Sequence, residues 1–276
     1  MKKFELTEET KIVCGHTLYR IRAVRSFTLV SGKEVASGEL GGFVEKENNL
    51  SHDGNAWVCG NAKVCGDAKV CGNAEVYGNA EVYGDAWVCG NAKVYGDAKV
   101  YGDAEVYGNA KVYDNAEVYD NAKVCSNAKV YGNAEVCSNA KVCGDAKVYG
   151  NAEVYCNAKV YDNAEVYDNA KVYGNAEVYG NAEVYGNTWV HDNAAVYKWE
   201  HLLVIGPIGS RNAYTTFFRD KDKEITVSCG CFLGKVDKFL EAVSTTHGDS
   251  KYAVVYKAAV EVAKLHIDLT EENEND

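Results

Sequence analysis

Proline occurs once in the 276 residues, and methionine once. Chains that stay disordered by composition are short of apolar residues, whereas this one is 47% hydrophobic, so a packed core is within reach. No stretch reaches the ~18 consecutive apolar residues that a membrane-spanning helix needs. The opening MKKFELTEETKIV has no long apolar stretch either, so no secretory signal is expected and the expected location is the cytoplasm. Arginine is limited to five residues and the net charge is −11, with most of the excess acid in residues 54–197. Nucleic acid is therefore not the default partner. Eleven cysteines in a chain placed in a reducing compartment read as free thiols.

What the chain has instead is one phrase, repeated. Alanine recurs every six residues from Ala56 to Ala194, broken only by Thr188, and a valine follows two places after each, from Val58 to Val196. That makes 24 hexapeptides of the form Ala-x-Val-(Tyr/Cys)-(Gly/Asp/Ser)-(Asn/Asp) without an insertion. In an extended strand the first and third side chains share a face, so Ala and Val point inward and x points out. The x position is Lys eleven times, Glu nine times, Trp three times and Ala once, as an outward position requires. The Gly-Asn or Gly-Asp that follows turns the chain, because Gly, Asn and Asp tolerate positive φ. A period of six matches no helix, and short strands joined by corners make a coil whose turns stack and bury a column of Ala and Val.

The repeat resembles the hexapeptide of the left-handed β-helix superfamily, which includes many acyltransferases. That resemblance implies the left-handed sense and three hexapeptides per coil, hence eight coils in residues 54–197. The lead-in Gly41-Gly42-Phe43-Val44-Glu45-Lys46-Glu47-Asn48-Asn49-Leu50-Ser51 is similar to uncharacterised solenoid proteins of bacteria and their phages. The stretches Gly206–Asn212 and Ser228–Phe232 resemble a small domain of phage-encoded proteins of unknown function. A phage origin implies the host cytoplasm as the location.

With 18 residues per coil, the position after Val sorts into three columns. One holds Cys59 and then seven tyrosines, Tyr77 to Tyr185; another places Cys71 beside Cys89 and Cys125 beside Cys143. Stacked tyrosines read as stiffening, with an aromatic surface for a flat ligand as the alternative. The outward column Lys93, Lys111, Lys129, Lys147 reads as a solvated face, with an anion site as the alternative.

Open solenoid ends invite strand addition, so residues 1–53 are expected to form a β cap and residues 198–276 a small α+β domain. His16–Ile21, Phe27–Val30, Leu202–Ile205, Thr215–Arg219 and Glu224–Ser228 read as strands. Val236–Val243 reads as a helix. A second helix, capped by Asp249, is expected to run to about Leu265, with Tyr252, Val255, Ala259, Val262 and His266 near one face.

Acyl transfer requires a general base in a pocket, and the repeats carry only His191, with no loop thrown out of the coil. Cys229-x-Cys231 with His201 or His247 lacks the second ligand pair that makes a zinc site persuasive, so no metal is expected. The segment IGPIGSRNAYTTFFR, Ile205 to Arg219, is the candidate site. Gly209, Ser210 and Asn212 allow a turn with exposed N–H groups, Thr215 and Thr216 add hydroxyls, and Arg211 and Arg219 add guanidinium forks. It lacks the Gly-Lys-Ser/Thr ending of a P-loop, and no cofactor is expected. The leading reading is a non-catalytic solenoid whose C-terminal domain binds an anionic small molecule, a nucleotide signal in a phage counter-defence setting being one example, or a protein partner. A homo-oligomer is compatible with it. The alternative is a hexapeptide-type acyltransferase. An ice- or polysaccharide-binding rod would show threonine columns, and Thr188 stands alone.

Overall fold

The computed structural model describes residues 2–13 and 15–270. Five N-terminal strands come first: β1 (Phe4–Val13), β2 (His16–Ala23), β3 (Phe27–Thr28), β4 (Glu34–Val35) and β5 (Leu40–Val44). Then 24 two-residue strands, β6 (Trp57–Val58) to β29 (Ala195–Val196), fall one to a hexapeptide. The C-terminal unit contains β30 (Leu202–Ile208), β31 (Ala213–Arg219), β32 (Ile225–Cys229), β33 (Phe232–Lys235), α1 (Val236–His247) and α2 (Lys251–His266).

Strands 18 residues apart pair in parallel, Val58 beside Val76 at one end and Val178 beside Val196 at the other, which makes three sheets around one core. Every valine of the column is fully buried, as is every alanine and Thr188. Thr188 keeps its hydroxyl satisfied by donating to the Tyr185 carbonyl. The hexapeptides make eight coils, three to a coil, as the resemblance implies. The lead-in adds another: Phe43 lies beside Lys63, Val44 beside Val64 and Leu50 beside Val70, so the solenoid has about nine turns. That first coil is spaced by 20 residues rather than 18, which no repeat announced.

Each corner needs a left-handed residue. Gly78 supplies it with φ +73, whereas Asp114, Ser126 and Cys156 hold φ 57–61, a conformation that costs a non-glycine residue ~1–2 kcal/mol. The next position answers with amide ladders: Asn73 donates to Asn91 (3.1 Å), Asn91 to Asn109 (3.1 Å) and Asn109 to Asn127 (3.0 Å). In the column after Val, Cys125 and Cys143 are joined by a disulfide with Cα atoms 4.6 Å apart, which corrects the expectation of free thiols for this pair. One coil of separation falls within disulfide reach. Cys71 and Cys89, equally spaced, are free.

The ladder is polar along the rod. Most inter-coil bonds run one way, from N–H groups of one coil to carbonyls of the next, as Trp57 to Ala74 and Cys59 to Val76. The first coil therefore presents mostly carbonyls and the last mostly N–H groups. At the start, donors close the end: buried Lys3 gives its ammonium to the Ala56 carbonyl (2.7 Å), and the buried Asn49 amide bonds Gly66 O (3.0 Å) and Ala68 O (2.8 Å). Phe4 and Phe27 close edge-on over Trp57, which is fully buried. At the far end an acceptor appears: the Tyr197 N–H donates to His201 Nδ1 (3.2 Å).

The four C-terminal strands form one antiparallel sheet in the order β30-β31-β32-β33. Phe218 and Leu202 join the solenoid core, whereas Phe217 and Val227 pack under α1 and α2. Strands β1, β4, β5 and β33 have no counterpart among the strands expected from sequence. Ser250, not Asp249, sits at the N-cap of α2. The inward side of α2 is Ala253, Tyr256, Ala259, Val260 and Ala263, so the face expected from sequence divides: Ala259 is buried, whereas Val255 and Val262 are exposed.

Candidate functional site

The turn Gly209–Asn212 joins β30 to β31, and the turn at Gly230–Cys231 joins β32 to β33. Where α1 and α2 pack over this end of the sheet, a cleft of about 210 Å³ remains. Ser210 and Arg211 come from the first turn, Cys229 and Cys231 from the second, His247 from α1 and Tyr256 from α2. The turns lie close: a Cβ on Gly230 would stand 3.6 Å from Arg211 Nη1. Gly209, at φ +75, passes directly under α2, and a Cβ there would fall 1.8 Å from the Tyr256 hydroxyl. Only glycine fits.

The cleft has apolar walls and a few polar groups. Phe239 meets Tyr256 edge-on at 5.5 Å, and His247 stacks on the same ring at 5.7 Å. Burial, with Cys229 beside it, pushes the Tyr256 hydroxyl up to about 12, so it keeps its proton at neutral pH. Thr215 Oγ1 donates to Cys229 Sγ (3.2 Å), and Cys229 Sγ donates to the Tyr256 hydroxyl (3.9 Å). The Tyr256 oxygen thus accepts, and its own hydrogen is left to donate. Arg211 is permanently cationic, and among the described residues no carboxylate lines the cleft. A site built this way offers a fixed positive charge and neutral donors against an aromatic wall.

The structure divides the residues singled out from sequence. Ser210 and Arg211 line the cleft, Gly209 seats Tyr256, and Asn212 (φ 50) closes the turn with its N–H on Gly209 O (3.3 Å). Thr215 and Thr216 are buried in β31. Arg219 does not converge with Arg211. It is buried against the last coil, donating to the Ala195 carbonyl (3.5 Å) with its guanidinium 5.4 Å from the Tyr197 ring centre. Its surroundings explain this: the outward carbonyl of a terminal coil needs a donor, and Arg219 supplies one. Reading the segment alone missed Cys229, His247 and Tyr256. The Cys229-x-Cys231 turn was the visible signal, and the helix residues had none.

Other candidate features are closed off. His191 stacks on Tyr173 at 4.7 Å, contacts Ser228 Oγ through Nε2 at 3.2 Å and is buried beneath the C-terminal sheet, where burial lowers its basicity. Tyrosine rings from Tyr77 to Tyr167 stack at 4.7–4.9 Å and within 5° of parallel, so their faces are spent on one another rather than open to a flat ligand. In the lysine column, Lys93 pairs with Glu75 (3.5 Å) and Lys147 with Glu165 (2.6 Å), which leaves Lys111 beside Lys129. His201 lies at the solenoid end, away from Cys231, and among the described residues no three His, Cys, Asp or Glu side chains gather as a metal site.

No protein-family model matches this chain, and no curated protein matches it closely enough to mark a relative.

Proposed function

We propose that this protein is a non-catalytic binding protein, in which a rigid solenoid carries a C-terminal unit that holds the anionic head of a small molecule. The observation that carries this reading is Arg211: a guanidinium set in a concave, aromatic-walled cleft without a carboxylate to neutralise it. Ser210 and the Tyr256 hydroxyl supply neutral donors to the same space. The volume of about 210 Å³ falls below the ~300–1,000 Å³ that enclose a drug-sized ligand, so the cleft suits a phosphate or carboxylate head whose remainder lies outside. A nucleoside monophosphate meets that description, with its base placed against the exterior of the cleft. The acyl-transfer alternative gains no support from His191, whose ring is buried and stacked on Tyr173.

Titration calorimetry with inorganic phosphate, nucleoside monophosphates and small carboxylates tests the reading. Charge-assisted contacts contribute ~1.5–3 kcal/mol, so Arg211→Ala is expected to weaken binding by about one to two powers of ten. Arg219→Lys is expected to leave affinity unchanged while lowering the melting temperature. Absence of heat with every probe, or equal affinity in wild type and Arg211→Ala, defeats the proposal.

A further inference from the structure

Two pairs of cysteines stand one coil apart in the same column, and only one pair is joined. Their backbones match. Val70 lies beside Val88 and Val124 beside Val142. Cys71 donates its N–H to the Val88 carbonyl (3.0 Å), as Cys125 does to that of Val142 (2.9 Å). The register that carries the Cys125–Cys143 bond, with Cα atoms 4.6 Å apart, is thus already in place at Cys71 and Cys89. What differs is access. Cys125 and Cys143 are buried, whereas Cys71 and Cys89 are half-buried. Cys71 opens into a groove of about 630 Å³ that it shares with Lys69, Trp87, His52 and Glu47. Glu47 is taken up by His52 (2.7 Å) and Lys2 (3.3 Å), while Lys69 makes no ion pair among the described residues. One space therefore holds both an ammonium and a thiol. Two donors converge on the Cys71 sulfur, Trp87 Nε1 at 3.1 Å and the Cys89 thiol. Burial, then the Cys71 sulfur beside it, pushes Cys89 up to about 11, so Cys89 keeps its proton at neutral pH.

We infer that Cys71 and Cys89 form a reversible disulfide by exchange with a small, carboxylate-bearing disulfide that enters this groove. Cys71 faces the groove, so it is the attacking sulfur, and Cys89 behind it is the resolving one. In the first step the Cys71 thiolate attacks one sulfur of the incoming molecule. Its S–S bond breaks, a mixed disulfide forms on Cys71, and one small thiol leaves with a proton. In the second step Cys89 gives its proton to water and attacks the Cys71 sulfur, which expels the other half as a second thiol. The sum is two protein thiols and one small disulfide in, one protein disulfide and two small thiols out. The protein is oxidised, the small disulfide is reduced, and no further oxidant enters. Lys69 attracts the carboxylates of the reagent, which brings its S–S bond to Cys71. The same groove admits the reducing thiol on the way back, whereas burial withholds Cys125 and Cys143 from both directions. One column thus carries two rungs of the same geometry, one permanent and one that follows the surrounding thiol balance.

The test equilibrates the full-length protein in glutathione buffers of graded ratio, followed by acid quench, alkylation and peptide mass spectrometry. The Cys71–Cys89 cross-link is expected to appear as the share of glutathione disulfide rises and to vanish as it falls, with Cys125–Cys143 joined throughout. Cys89→Ser is expected to stop at a glutathione adduct on Cys71, and Cys71→Ser to carry none on Cys89. Both substitutions keep the size of a half-buried side chain, and circular dichroism checks that the coils are unchanged. Oxidised wild type is expected to melt at a higher temperature than reduced, a shift absent from both variants. Lys69→Ala is expected to slow reaction with glutathione disulfide but not with uncharged hydroxyethyl disulfide. No cross-link at any ratio overturns the inference, as does an adduct on Cys89 in place of Cys71. A Cys71–Cys89 bond that survives excess reduced glutathione, or that outlasts Cys125–Cys143, does the same. An equal effect of Lys69→Ala on both reagents rejects the carboxylate-bearing partner. Arg211→Ala should oxidise like wild type, which keeps this result separate from the ligand question.

Discussion

Lys3, Asn49, Arg219 and His201 share one task, each replacing a neighbour that a terminal coil lacks. A carbonyl end takes the Lys3 ammonium and the Asn49 amide; Arg219 meets the Ala195 carbonyl of the last coil, and His201 must act as an acceptor. An imidazole accepts at Nδ1 only when that nitrogen carries no proton. Burial first, then the positive charge of Arg219, pulls His201 down from 6.5 to about 4. Above about 6.5 it is neutral folded or unfolded, and its contribution is complete. As pH falls from there toward about 4, the unfolded chain takes up a proton that the folded one resists, so stability drops by at most about 3 kcal/mol. Thermal melts from neutral pH down to pH 4 should show this loss, and His201→Gln, which keeps an acceptor without titrating, should flatten it. An acid slope identical in the two proteins refutes the role.

The tyrosine ladder puts phenols in contact along a whole sheet corner, and its titration is an element-scale property. Burial, reinforced by neighbouring tyrosines, raises Tyr77 and Tyr113 to about 12. Burial and the Glu183 carboxylate, which accepts the Tyr167 hydroxyl (3.0 Å), do the same for Tyr167. A folded value above the unfolded 10 means that this stabilisation is complete below pH 10 and is lost as pH climbs toward about 12. Tyrosinate absorbance should therefore rise late and together with loss of β-sheet circular dichroism. Tyrosines ionising near 10 in a folded rod would contradict it. This element was legible in advance, because the same constraint is written 24 times and each copy repeats the inward, outward and corner positions. Helix α2 was legible as a helix but not in its facing, since a segment apolar on two sides gives periodicity no means to choose between them. Arg219 was read as a ligand group because its partners, the Ala195 carbonyl and the Tyr197 ring, come into reach only when the sheet folds onto the last coil. Arg211 stands in the turn after β30 that the segment's glycines announce, but the helical half of its cleft lies beyond any local pattern.

At the scale of the whole molecule, the 18-residue register makes the middle of the rod interchangeable. Deleting residues 93–110 joins Ala92 to Lys111 and sets Lys111 above Glu75, the place Lys93 held. That variant should fold, melt in one transition and be shorter by about 4.8 Å. Aggregation or loss of the transition would show that the coils are not equivalent. Deleting six residues instead, 93–98, keeps every Ala and Val inward but brings the following chain onto a different sheet. The cleft would then point about a third of a turn away from its present direction relative to the N-terminal hairpin. The parallel register thus works like an indexed shaft. Reach changes in whole coils and heading in single hexapeptides, and neither change touches a residue that closes the ends or lines the cleft. Unequal exchange between such similar coding repeats would yield rods of new length and heading with the C-terminal unit unaltered.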